Sequence, residues 1–146
     1  MSIPSAPGTY ALILQAEREQ AIRVGKSGSL TIRPGWYVYI GSAFGPGGLS
    51  ARINRHVKKR KKFRWHIDYL RARVTLIDVW YTTSARKMEC RWAGLFGQLK
   101  GAEIITGFGA SDCKCRSHLF RFPDQPVFRL FSEQIHIPVH HALMLR

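Results

Sequence analysis

Gly8-Thr9-Tyr10, which opens an apolar run, and Tyr39-Ile40-Gly41-Ser42, which closes a second one, are the stretches that decide the fold. Both runs are rich in aliphatic, β-branched and aromatic residues, so each is expected to form a strand. Gly8 and Gly41 stand where a backbone turns or approaches a neighbour closely. Leu49, Arg52 and His56 follow at i, i+3 and i+7, along one face of a helix. Two strand tyrosines beside an arginine and a histidine bring together a proton-handling hydroxyl, a phosphate clamp and an imidazole. That is equipment for cutting phosphodiesters.

Working outward, Thr9–Ala16 is expected to be a buried strand ending at the polar turn Glu17-Arg18-Glu19-Gln20. Ala21–Val24 is expected to pair back on it before the turn Gly25-Lys26-Ser27-Gly28. Leu30–Arg33 offers another short strand, and Pro34-Gly35 turns the chain into Trp36–Gly41. The loop Phe44-Gly45-Pro46-Gly47-Gly48 leads into a helix over Leu49–Lys59. A short helix is expected near Phe63–Leu70, a strand over Val74–Thr82, and a second long helix over Arg86–Leu99 with Cys90, Ala93, Leu95, Phe96 and Leu99 on its apolar side. Short strands and loops fill Ala102–Arg146. The fold class is therefore α+β, a small, mainly antiparallel sheet of three to five strands with two main helices packed on it.

The charge points to a partner. Lys and Arg number 23 against nine Asp and Glu, a formal net charge of +14. A polyanion is the expected partner, DNA first, with RNA also compatible. Ribosomal and histone-like proteins share that balance, so charge does not separate an enzyme from a binder. The 146 residues, 45% of them apolar, suit one domain with a real core. No apolar stretch reaches the ~20 residues of a membrane span, and the N-terminus lacks the pattern of a secretory signal. Cys90, Cys113 and Cys115 form an odd set without a disulfide framework, in keeping with a cytoplasmic location.

Gly-Thr-Tyr, then Tyr-Ile-Gly-Ser, then Leu-x-x-Arg-x-x-x-His resembles the GIY-YIG nuclease superfamily. The resemblance covers Gly8 to about Leu99, with 100–146 as a C-terminal extension of a single domain, 1–146. Thr9 replaces the family's Ile. The 28 residues between Tyr10 and Tyr39 exceed the usual interval and imply an inserted turn and an extra strand. The resemblance implies a GIY-YIG-like fold and a DNA endonuclease that hydrolyses the phosphodiester in one step with one Mg²⁺ or Mn²⁺ ion. In that reading Tyr10 or Tyr39 orients or deprotonates the attacking water, with His56 as helper, and Arg52 stabilises charge on the phosphoryl group. Glu89, in Arg86-Lys87-Met88-Glu89, matches the family's helix-borne metal ligand. Tyrosine is a poor base at neutral pH, so Arg52, His56 and a metal would have to lower its pKa. His66, in Trp65-His66-Ile67-Asp68, is a supporting second imidazole.

The run Lys58-Lys59-Arg60-Lys61-Lys62, with Arg55 and Arg64 on either side, belongs to a segment holding eight Lys and Arg between Leu49 and Arg64. It is expected to track phosphates without reading bases. Gly107–His118 contains Cys113-x-Cys115-x-x-His118. This spacing differs from that of common zinc modules, so bound zinc is disfavoured. The stretch resembles a signature of the small Uri-type branch of the superfamily, in which it would border the site with His118 or Asp112 toward substrate. The competing reading is a basic nucleic-acid-binding module that keeps the scaffold without the chemistry.

Overall fold

The computed structural model describes residues 3–105 and 117–144. Its centre is β1 (Gly8–Ala16), whose residues are buried almost without interruption. Side chains alternate across a strand, so Tyr10, Leu12 and Leu14 enter one core while Ala11 and Ile13 enter another. A strand apolar on both sides needs cover on both sides, and the helices supply it.

β2 (Gln20–Arg23) and β3 (Ser29–Ile32) come next, then β4 (Gly35–Ala43), α1 (Gly48–Val57) and α2 (His66–Arg71). β5 (Thr75–Thr82), α3 (Glu89–Gln98), β6 (Glu103–Ile104), β7 (Leu119–Phe122), α4 (Phe128–Ser132) and β8 (His140–Leu143) complete the described chain. Six strands form one sheet in the order β6-β7-β4-β1-β5-β8, every neighbouring pair antiparallel. The class is α+β as expected, but the sheet is wider than three to five strands. The C-terminal segment is part of the fold, since β7 extends the sheet beyond β4 and β8 beyond β5.

β2 corrects another expectation: it pairs with β3 and not with β1. The inserted segment makes its own ribbon and tucks Ile22, Val24 and Ile32 into the first core, beside Leu49, Ile53 and Leu70 of α1 and α2. The second core is aromatic. Phe96 of α3 stacks on Phe131 of α4 with centroids 4.4 Å apart, and Trp92 meets Phe131 edge-on at 4.9 Å. Among the described residues no helix is long and apolar enough to cross a membrane.

α1 is fixed at both ends. At its start, Leu49 and Ser50 donate their N–H groups to the carbonyls of Ala6 and Pro4, both at 2.9 Å. Gly48, at φ +58°, lies so close to this N-terminal segment that a Cβ would come within 2.1 Å of the Ser5 carbonyl oxygen. At the other end the buried Arg71 donates to the carbonyls of His56 (2.9 Å), Val57 (3.1 Å) and Val74 (2.8 Å). One guanidinium thereby satisfies two of the carbonyls that a helix end leaves orphaned. Arg71→Met should strand these acceptors and lower unfolding free energy by about 3 kcal/mol or more, measured by urea denaturation. A loss under about 1 kcal/mol would show that the cap is dispensable.

Candidate active site

The β1–β4 register places Tyr10 opposite Gly41 and Leu12 opposite Tyr39. Tyr10 and Tyr39 therefore share the face that packs beneath α1. Gly41 exists for Tyr10: a Cβ there would lie 2.5 Å from the Tyr10 hydroxyl and 2.6 Å from Cζ. The ring occupies the space a side chain would take, and its hydroxyl reaches His56 Nε2 at 2.6 Å. Gly8 answers a different constraint, because its Cβ would fall 2.0 Å from the Thr82 carbonyl oxygen of β5.

His56 is caged by aromatic rings, with Tyr10 at 5.4 Å, Tyr39 at 6.1 Å and Trp65 at 6.0 Å between centroids. Burial, helped by the charge of Lys61 and opposed by Asp68, pushes its pKa down to about 3. At neutral pH the ring is an uncharged hydrogen-bond partner and a weak base. Its Nδ1 is buried with no hydrogen-bond partner among the described residues. An orphaned buried N–H is rarer than an orphaned acceptor, which favours the proton on Nε2, donated to the Tyr10 oxygen.

Arg52 lies over the Trp65 ring, its Cζ 4.5 Å from the centroid, and its charge favours the ionised form of Tyr10. Trp65 is a residue sequence reasoning passed over. Its signal was an aromatic inside a basic segment, but nothing in the spacing showed that it would support Arg52. His66, next in the chain, opens α2 and is half-buried.

Glu89 is the first residue of α3, and the preceding Met88 N–H donates to Thr9 Oγ1 of β1 at 3.3 Å. That bond ties the start of α3 to the strand carrying Tyr10. The helix begins at Glu89 and not at Arg86. The backbone carbonyl of His118, a residue buried just before β7, accepts from the Ile40 N–H at 2.9 Å, and the His118 Nδ1 lies 3.6 Å from Glu89 Oε2. That distance is beyond a hydrogen bond. Burial lowers the His118 pKa against the pull of Glu89, so this is a neutral imidazole beside a carboxylate.

The protein's own groups do not lower the pKa of either tyrosine. Burial, reinforced by Tyr39 and Glu89 and opposed by Arg52, raises Tyr10 well above its usual value. Burial and then Glu89 push Tyr39 up to about 12. Arg52 acts in the expected direction, but desolvation is the larger effect. Arg52 and Glu89 thus both act electrostatically on the two tyrosines.

The basic run divides. Arg55 is committed inside the protein: it grips both oxygens of Asp68 at 2.8 and 2.9 Å, donates to the Lys62 carbonyl, and lies over Trp65. Lys61 donates to the Arg55 carbonyl at 2.8 Å and sits 3.6 Å from Asp68. Asp68 also accepts from the N–H groups of Arg64 and Trp65. Burial works against its charge, yet these bonds hold its carboxyl well below the usual range. Arg55 and Lys61 thus leave the expected phosphate-tracking set, because a buried carboxylate needs compensation. Lys58, Lys59, Arg60, Lys62 and Arg64 remain exposed.

Cys113, Cys115 and Asp112 lie outside the described residues, among which no three His, Cys, Asp or Glu side chains cluster as a metal site. Cys90, on α3, is disulfide-bonded, contrary to the expectation of a cysteine set without disulfides.

Residues 9–138 match the family model described as Domain of unknown function DUF123. The chain belongs to the DUF123 family. The match runs from β1 past α4, so the DUF123 domain includes the C-terminal strand β7 and every candidate site residue from Tyr10 to His118. No curated protein and no solved structure matches the chain.

The His56 environment has a consequence for stability. Its folded pKa, about 3, lies below the ordinary 6.5. The contribution is therefore present above pH 6.5 and lost as pH falls toward 3. Between pH 7 and pH 5 it should cost the wild type about 2 kcal/mol that His56→Gln does not lose. Parallel stability–pH curves for the two proteins would overturn this.

Proposed function

We propose that this DUF123 chain is a divalent-metal-dependent DNA endonuclease of the GIY-YIG type. The observation that carries the reading is the Tyr10 hydroxyl, held 2.6 Å from the neutral His56 and subject to the charges of Arg52 and Glu89. Arg52 is braced on Trp65 and borders a small cavity with Gly45, Pro46 and Gly48. A planar guanidinium in that position suits the growing charge of a phosphoryl group.

The chain's residues fit a hard cation. Glu89 is partly exposed at the start of α3 and, among the described residues, its one ion-pair neighbour is a neutral imidazole at 3.6 Å. Asp68, Glu103 and Glu133 are paired with Arg or Lys. Mg²⁺ commonly uses one or two carboxylates, with water and substrate phosphate as its remaining ligands. Bound there, the ion supplies positive charge to the water and to the oxygens of the scissile phosphate. Tyr10 and Tyr39 are protonated at neutral pH and serve to orient the attacking water. Nε2–H of His56 fixes the Tyr10 oxygen, which leaves the hydroxyl proton free to point at substrate. Lys58, Lys59, Arg60, Lys62 and Arg64 supply sequence-independent affinity.

Labelled single-stranded, duplex and branched DNA incubated with and without Mg²⁺ or Mn²⁺ tests the proposal. Glu89→Gln should reduce cleavage at least 100-fold while binding changes less than about twofold. Tight binding with no cleavage of any substrate would replace the nuclease with the non-catalytic module.

Changing Lys58, Lys59 and Lys62 together to Gln should flatten the log-affinity against log-salt slope by about two to three units for all sequences. Lys61→Gln should instead lower thermal stability, and an unchanged slope in the triple variant would put the nucleic acid elsewhere.

A further inference from the structure

A second feature lies outside that site. Between the β2–β3 ribbon and α2 runs a groove of about 450 Å³, lined by Ile22, Arg23, Phe63, Tyr69 and Arg73 among others. Its volume is in the range of small-molecule sites. Phe63 is 36% exposed and is the one aromatic among the exposed large hydrophobic residues described. Its ring is not loose: it meets Tyr69 edge-on at 4.8 Å and 72°. Arg23 and Arg73 are exposed, and neither is held by a carboxylate among the described residues. Phe63 also stands inside the basic segment, between Lys62 and Arg64, two residues before the Trp65 that braces Arg52.

We infer that this groove is a nucleotide-binding subsite that takes an unpaired base of single-stranded nucleic acid on Phe63, with the flanking phosphates on Arg23 and Arg73. An aromatic face kept in water beside free guanidinium groups matches a base joined to its phosphates, since every base has a π-face to stack. A base inside a duplex cannot offer that face without unstacking, so the groove selects single strands or unpaired positions. The inference rests on the nucleic-acid part of the proposed function and names the form of the substrate. It requires no cleavage.

Fluorescence anisotropy in EDTA tests it with labelled oligothymidylate, an abasic single strand of equal length, and duplex DNA. Wild type should bind oligothymidylate about tenfold more tightly than the abasic strand. Phe63→Ala should erase that preference, with duplex affinity and the salt slope unchanged, and Phe63→Trp should keep it. Phe63→Leu retains apolar packing on Tyr69 and should bind as weakly as Phe63→Ala, which separates stacking from folding. Wild-type binding by Phe63→Ala, or equal weakening toward single strands and duplex, would overturn the subsite. Cleavage by a protein whose single-strand binding does not depend on Phe63 would sink this inference alone, and Phe63-dependent binding without cleavage would sink only the nuclease reading.

Discussion

The pairing register of β1 on β4 is the constraint from which the rest of the site follows. It sets Tyr10 opposite Gly41, and only a residue without a Cβ leaves room for the ring. A slip of one residue would turn Tyr10 into the aromatic core beneath α3 and carry Ala11 toward His56. Burial on both faces prevents the slip, because each strand position already belongs to one of two incompatible cores. The imidazole position depends in turn on α1, whose ends are tied to the N-terminal segment and to Arg71.

The central strands and both main helices were legible in the sequence because their signals are local. Apolar runs, glycine turns and a helical spacing each occupy fewer than about 20 residues of chain. The partner of β2 was not legible. Pairing back on β1 and pairing with β3 satisfy the same apolar pattern, and only the competition of β4 and β5 for the two edges of β1 decides it. β7 and β8 are hidden for a related reason, since each is four residues long and gains its place from a distant neighbour.

The candidate site was legible by residue type and less so by electrostatic state. Tyr10, Tyr39 and His56 come together, but sequence carries no measure of desolvation, which moves both tyrosines and the histidine further than any neighbouring charge does. The same blindness affects the basic run. Nothing in five adjacent cations tells which one folds back on Asp68, and the answer, Lys61, follows from the way the chain leaves α1 and re-enters at α2.

The capped start of α1 bears on how an anion could be held. Gly45-Pro46-Gly47-Gly48 looks like a glycine-rich cradle, the kind of loop that offers bare amides and a helix dipole to phosphate. Here the amides at the helix start, those of Gly48, Leu49, Ser50 and Ala51, already serve the chain's own carbonyls at Gly45, Ala6, Pro4 and Gly47. In the proposed nuclease, phosphate recognition therefore falls to side-chain cations, and to guanidinium groups above all. A point-charge ammonium in place of Arg52 would keep the net charge but lose the two-pronged geometry and the flat surface that rests on Trp65. On that proposal, specificity for a phosphoryl group depends on how rigidly one arginine is stacked, not on the shape of a backbone loop.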